Sequence, residues 1–121
     1  MNEGQAPTGW LRILIPTPEF DSFYNSLPDK VKVKFDYVFN VITSIYNIST
    51  KFIKHLNNTD LYEMRVSVGT NEYRTILFAI DRDNLLEAKQ IILLNGFIKK
   101  SNKDYKRQIE IATKILERFK L

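Results

Sequence analysis

Two arginines, Arg65 and Arg74, a lysine pair, Lys99 and Lys100, and the basic side chains Lys103, Lys106 and Arg107 are the groups in this chain whose types and spacing could do chemistry. Guanidinium and ammonium groups that converge on one spot hold phosphate, and they stabilise charge that develops there during a reaction. Much other chemistry is excluded. The chain has no cysteine and one histidine, which rules out a disulfide framework, a thiolate nucleophile, a cysteine zinc site and a two-histidine metal site. The one histidine, His55 in the segment FIKHL, reads as a structural or surface residue.

The formal net charge of +4 averages two unlike parts. Residues 1–96 carry 10 basic and 11 acidic side chains, a balance of −1, whereas residues 97–121 carry 8 and 3, a balance of +5. A basic end of this kind attracts polyanions, phosphate backbones being the usual ones. Lysines and arginines on a last helix also simply solvate it and complement its dipole.

The elements that position these groups follow from length and periodicity. At 121 residues and 44% hydrophobic content, one domain with its own core is expected, with residues 1–9 as a flexible lead-in and 10–121 as the domain. No apolar run approaches the ~20 residues that span a bilayer and no signal peptide is read, so a soluble, cytoplasmic chain with no membrane partner is expected. Residues 10–15 read as a short, mostly buried strand stopped by Pro16 and Pro18. Thr17-Pro18-Glu19 opens a short helix to about Leu27, and Ser26-Leu27-Pro28-Asp29 has capping-box form before a longer one. In that longer helix Val31, Phe35, Val38, Ile42 and Ile45 make an apolar stripe, widened by Phe39 and Tyr46.

After a linking stretch at 47–60, the pattern turns from helical to alternating. In 61–68 (LYEMRVSV), Tyr62, Met64, Val66 and Val68 share one face and Leu61, Glu63, Arg65 and Ser67 the other, which is the mark of a half-buried antiparallel strand. A turn at 69–72 leads to a return strand at 73–80. Residues 81–88 form a charged connection with room for a helical turn, 89–97 hold a third strand, and 104–121 form a last helix with Tyr105, Ile109, Ala112, Leu116 and Phe119 on one stripe. The expected architecture is α+β: a small, mainly antiparallel sheet with two N-terminal helices packed on one face, and a C-terminal helix. The opposite face is left to bind something.

Hairpin parity then acts on the arginines. A four-residue loop at 69–72, or a two-residue loop at Thr70-Asn71, sets Ser67 opposite Arg74 and Arg65 opposite Ile76. Both place Arg65 and Arg74 on one face, away from Tyr62, Met64 and Val66, whereas a three-residue loop separates them. That face also shows Ile76, Phe78 and Ile80, so part of it must be covered, and the C-terminal helix is available to do so. Two arginines beside a strand end carrying Lys99 and Lys100 make a concave basic site suited to phosphate. Pairing of each arginine with a neighbouring acid, such as Glu63 or Glu72, is the competing arrangement.

The succession LYEMR (61–65), EYRTILF (72–78) and LLNGFIKKSNKDYKRQIEIA (93–112) resembles the RelE/ParE toxin superfamily, and within it the phage-derived, HigB-like branch of type II toxin–antitoxin systems. The resemblance implies a RelE-like fold and a toxin that inhibits translation as a ribosome-dependent mRNA endonuclease, by 2′-OH attack on the adjacent phosphate, without metal or cofactor. It implies catalytic roles for Arg65, Arg74, Lys99 or Lys100, and Tyr105, the last where RelE has a C-terminal tyrosine and the HigB-like branch more often proline. Lys103, Lys106 and Arg107 are expected to carry RNA. Glu63 is what the HigB-like branch has in place of a lysine of RelE, which leaves the general base open. The implied partners are the ribosome, mRNA and a helix-turn-helix antitoxin, in a toxin–antitoxin hetero-oligomer. A ParE-like inhibitor of gyrase and an inactive RNA-binding module are the alternatives.

Overall fold

A computed structural model of the chain describes residues 11–119; the lead-in expected at 1–9 lies outside the described residues. The elements run β1 (Ile13–Pro16), α1 (Pro18–Asn25), α2 (Asp29–Ser44), β2 (Ile53–His55), β3 (Leu61–Val68), β4 (Asn71–Ala79), a 3-10 turn (Leu85–Glu87), β5 (Gln90–Ile98) and α3 (Asn102–Glu117). Among the described residues, five strands form one sheet in the order β1-β5-β4-β3-β2, antiparallel except where β1 lies parallel to β5. The architecture is therefore the expected α+β one, with one more strand than the sequence suggested: β2 lies within the stretch read as a link. It has only three residues and one of them, Ile53, is buried, too short a run for alternation to register.

Thr17 caps α1 as its sequence position indicates, its hydroxyl accepting from the Phe20 amide at 3.1 Å while donating to the Leu94 carbonyl at 2.6 Å. Ser26 does not cap α2. Its hydroxyl donates to the Phe23 carbonyl at 2.7 Å and closes α1 instead, and α2 begins behind Pro28 without a side-chain cap. On α2, Val31, Phe35, Val38 and Ile42 are buried as the stripe requires, whereas Ile45 and Tyr46 fall past the helix end and are exposed. β1 corrects a second expectation: it is an edge strand, and Ile13 and Ile15 are exposed. The buried residue there is Arg12, whose guanidinium donates to the carbonyls of Ile42, Ile45, Tyr46, Leu85 and Leu86 at 2.7–3.3 Å. It closes the C-terminal end of α2, where unpaired carbonyls and the helix dipole favour a cation.

Each face of the sheet has its own core. Phe20, Phe35, Val38, Ile42, Met64, Val66, Tyr73, Leu77 and Leu93 pack together between the sheet and α1/α2. Gly96 makes the contact with α1 possible, because a Cβ there would stand 2.2 Å from the Phe23 ring. The second core, Leu61, Ile76, Ile92, Leu94 and Phe97 with Ala112, Ile115 and Leu116, lies under α3. Each of those buried Leu and Ile side chains contributes about 1.5–3 kcal/mol of apolar burial. The face left open by the N-terminal helices is thus partly covered, as its apolar residues demanded.

The hairpin closes through Gly69-Thr70, since Val68 pairs with Asn71. Gly69 takes φ +61, the positive value required at the first central position of a II′-type turn. Arg65 therefore faces Arg74 directly, and Ser67 faces Glu72, two residues from the expected register. An even shift preserves parity, so the two arginines share a face even though their neighbours change. In β5 an irregularity sets Thr75 opposite Gly96 and Leu77 opposite Leu93, so that Leu94 and Asn95 both oppose Ile76. This bulge keeps Phe97 on the α3 face while Gly96 turns to α1.

Candidate functional site

Strand β3 sends Glu63 and Arg65 to the α3 face, β4 adds Arg74 from the facing position, and the first turn of α3 adds Tyr105. Glu63 lies at the centre and is 2% exposed. Its Oε2 accepts from Arg65 Nε at 2.6 Å and lies 3.8 Å from Arg74 Nε, while the Tyr105 hydroxyl donates to Oε1. Arg74 also reaches Glu72 Oε1 at 3.2 Å and the Tyr73 carbonyl at 3.0 Å. Both sequence-stated arrangements are thus present together: the arginines share a face, and each pairs with a neighbouring acid.

Burial separates their roles. Arg74 is 7% exposed and lies beneath the surface, whereas the Arg65 side chain keeps 29% of its area open. Lys99, at the end of β5, sets its ammonium 5.4 Å from the centre of the Tyr105 ring, whose other neighbour is Phe97 in edge-to-face contact. Burial, and then the hydrogen bond to Glu63, push the Tyr105 phenol well above the ordinary tyrosine range, so it is a neutral donor. At Glu72, the Ser67 hydroxyl and then Arg74 hold the carboxyl below the usual range.

These groups border a cleft of about 230 Å³, walled by Lys54, His55, Glu63, Arg65, Lys99 and Tyr105 among others. Lys100 is exposed in the connection to α3 and lies on the wall of neither this cleft nor the next. Lys103, Lys106 and Arg107 line a separate groove along α3 with Asp104 and Glu110, and Arg107 pairs with Asp104 at 3.1 Å.

Several residues of the cleft escaped the sequence reading of the site. Glu63 was visible as a possible partner for an arginine and as the residue standing in place of a lysine of RelE, but its burial depends on α3. Lys54 arrives on β2, whose pairing of Lys54 with Glu63 places it beside Arg65, whereas His55 pairs with Tyr62 and turns its ring to the other face of the sheet, 5.0 Å from the Tyr62 ring centre. His55 is a surface residue, as expected, and it borders the cleft with its ring turned to the Tyr62 side of the sheet. Its Nε2 donates to the Thr59 carbonyl at 2.7 Å. Among the described residues no group of three or more His, Asp or Glu could hold a metal ion, and no helix is long and apolar enough to cross a membrane. Chemically, the cleft offers cations and a neutral phenol around a space for an anion.

Comparison with known proteins agrees with this geometry at the level of fold and family. The family model described as "Phage derived protein Gp49-like" matches residues 22–117. Among solved structures, the chain is similar to free Escherichia coli toxin RelE carrying two arginine-to-alanine substitutions, with a TM-score of 0.58 and 13% identity over 83% of this chain and 96% of that one. No curated protein matches the chain significantly.

Proposed function

The chain belongs to the phage-derived Gp49-like family, and from that premise we propose that it is the toxin of a type II toxin–antitoxin pair, of the HigB-like kind, that cuts mRNA on the ribosome. The observation that carries the reading is the convergence of Arg65, Lys99 and Tyr105 on one cleft around buried Glu63.

In this reading Arg65 and Lys99 hold the scissile phosphate, and Arg74, behind Glu63, is a positioning residue. The 2′-OH gives up its proton to water as the 2′ oxygen bonds to phosphorus. The bond to the 5′ oxygen breaks, and that oxygen takes a proton from the Tyr105 phenol, leaving a 2′,3′-cyclic phosphate and a 5′-OH. Proton transfer from the phenol to the leaving oxygen is worth about 10²–10⁴-fold. Positioned cations supply about 3–4 kcal/mol per donor removed in comparable sites. Alignment of the strand by the ribosome contributes a further ~7–11 kcal/mol. Lys100, Lys103, Lys106 and Arg107 lie beyond the cleft and attract flanking backbone. The toxin acts in the cytoplasm, and its partner is a helix-turn-helix antitoxin that covers the basic face in a hetero-oligomer.

Ribosomes programmed with a defined mRNA, read by primer extension, test this. The wild-type chain cuts only when ribosomes are present, and Arg65→Ala lowers the rate by about 10²–10³-fold. Undiminished cutting by Arg65→Ala refutes the site. DNA damage without mRNA cleavage would replace the reading with gyrase inhibition.

A further inference from the structure

A second groove adjoins the cleft, and Arg65 belongs to the walls of both. It measures about 340 Å³, within the roughly 300–1,000 Å³ of small-ligand sites. Lys34 and Tyr37 come from α2, Lys51 and Phe52 from the segment before β2, and Arg65 and Ser67 from β3. The floor exists because β2 pairs only with residues 62–64, so β3 beyond Arg65 has no further strand on that side.

The chemistry of this lining differs from that of the groove along α3. Lys34, Lys51 and Arg65 are all cationic, and no acidic side chain lines the groove, whereas Asp104 and Glu110 interrupt the basic run of α3. Aromatic rings are interleaved with the charge. Tyr37 is 57% exposed and stands edge-to-face with Phe52 at 6.1 Å, and the Lys51 ammonium sits 5.6 Å from the Phe52 ring centre. A large exposed aromatic serves no core, and Tyr37 lies on the solvent side of the α2 stripe. Cations that track a backbone, together with an open ring on which a base stacks, are the combination that binds single-stranded nucleic acid without reading its sequence.

We propose that this groove is a second nucleotide subsite: single-stranded RNA leaves the cleft over Arg65, stacks a base on Tyr37, and sets its next phosphates against Lys34 and Lys51. The proposal rests on the nuclease reading for the identity of the strand, and Arg65 is the hinge between the two sites. The groove lengthens the held segment past the cut and adds affinity that does not depend on the base.

Fluorescence anisotropy with a labelled, 2′-O-methylated single-stranded RNA octamer, which cannot be cut, tests the groove apart from the chemistry. The wild-type chain binds the octamer in preference to a duplex. Tyr37→Ala binds roughly five- to hundredfold more weakly with an unchanged salt slope, as loss of one stacked base requires, and Tyr37→Phe retains binding. The Lys34→Ala/Lys51→Ala pair flattens the plot of log K against log salt by about 1.4, at ~0.7 per phosphate contact. All of these side chains lie at the surface, and circular dichroism confirms that each variant is folded. No octamer binding by the wild type, a preference for duplex, or wild-type affinity in both Tyr37→Ala and the lysine pair overturns the groove. A chain that binds through the groove but cuts nothing on ribosomes keeps the groove and removes the nuclease, so the two failures are distinct.

Discussion

Replacing Glu63 by glutamine keeps the shape of a side chain that is 2% exposed and removes the charge at the centre of the site. The carboxylate serves Arg65 at 2.6 Å, Arg74 at 3.8 Å and the Tyr105 hydroxyl. Glutamine offers one oxygen where two accepted, and its amide presents hydrogens to whichever donor remains. A hydrogen bond to a charged group is worth about 1.5–3 kcal/mol, so one such bond is lost and another weakened. Arg65 and Arg74 then face each other across the ladder without the anion between them, an arrangement that costs further free energy. The expected loss is about 3–5 kcal/mol, the range for removing one partner of a buried ion pair. With a urea slope of ~1.5 kcal/mol per M, the unfolding midpoint falls by about 2–3 M. Added inorganic phosphate recovers part of the loss, because an anion in the cleft binds the folded chain and not the unfolded one. A double-mutant cycle with Tyr105→Phe yields a coupling of about 1.5–3 kcal/mol. A midpoint shift equivalent to less than about 0.5 kcal/mol, or additive single effects, would refute the claim that Glu63 holds the site together.

Other positions carry separate expectations. Arg12→Ala strands three carbonyls at the end of α2 and two in the 3-10 turn and costs at least ~3 kcal/mol in urea unfolding; Arg12→Lys recovers only a minor part, since an ammonium cannot reproduce the planar fork, and full recovery would contradict this account. Gly96→Ala drives a methyl group into the Phe23 ring and lowers stability by about 1–3 kcal/mol, readable as a fall in Tm, while an unchanged Tm would mean that α1 yields at no cost. The raised Tyr105 pKa implies stability that is complete below the ordinary tyrosine value of ~10 and is lost as pH rises toward the folded value. Tyrosinate absorbance should accordingly show one phenol fewer in the last-ionising class of Tyr105→Phe, and loss of an early-ionising phenol instead would place Tyr105 in water.

Much of the site is legible in the sequence, for definite reasons. Period-two alternation fixes which residues of β3 share a face, and an even register shift cannot undo it, so Arg65 and Arg74 were placed together even though the turn fell at Gly69-Thr70 and their partners moved by two residues. The helical stripes located both layers because burial of apolar surface follows a 3.6-residue period. Local patterning was weaker where one hydroxyl had two possible partners: Ser26 closes α1 rather than opening α2.

What the sequence by itself determined, then, is the order and type of most elements, the two arginines on one face and the basic end beside them. Only the tertiary structure decided the rest, because it depends on contacts between segments far apart in the chain. β2 carries Lys54 to the cleft through pairing too short to leave a pattern. The bulge in β5 resets its alternation so that Gly96 meets α1 while Phe97 meets α3. Tyr105, arriving on α3, buries Glu63 between two arginines and divides them into one exposed cation and one beneath the surface. Burial and partnership are sums over the whole fold, and they turn a row of charges into a site with an inside and an outside.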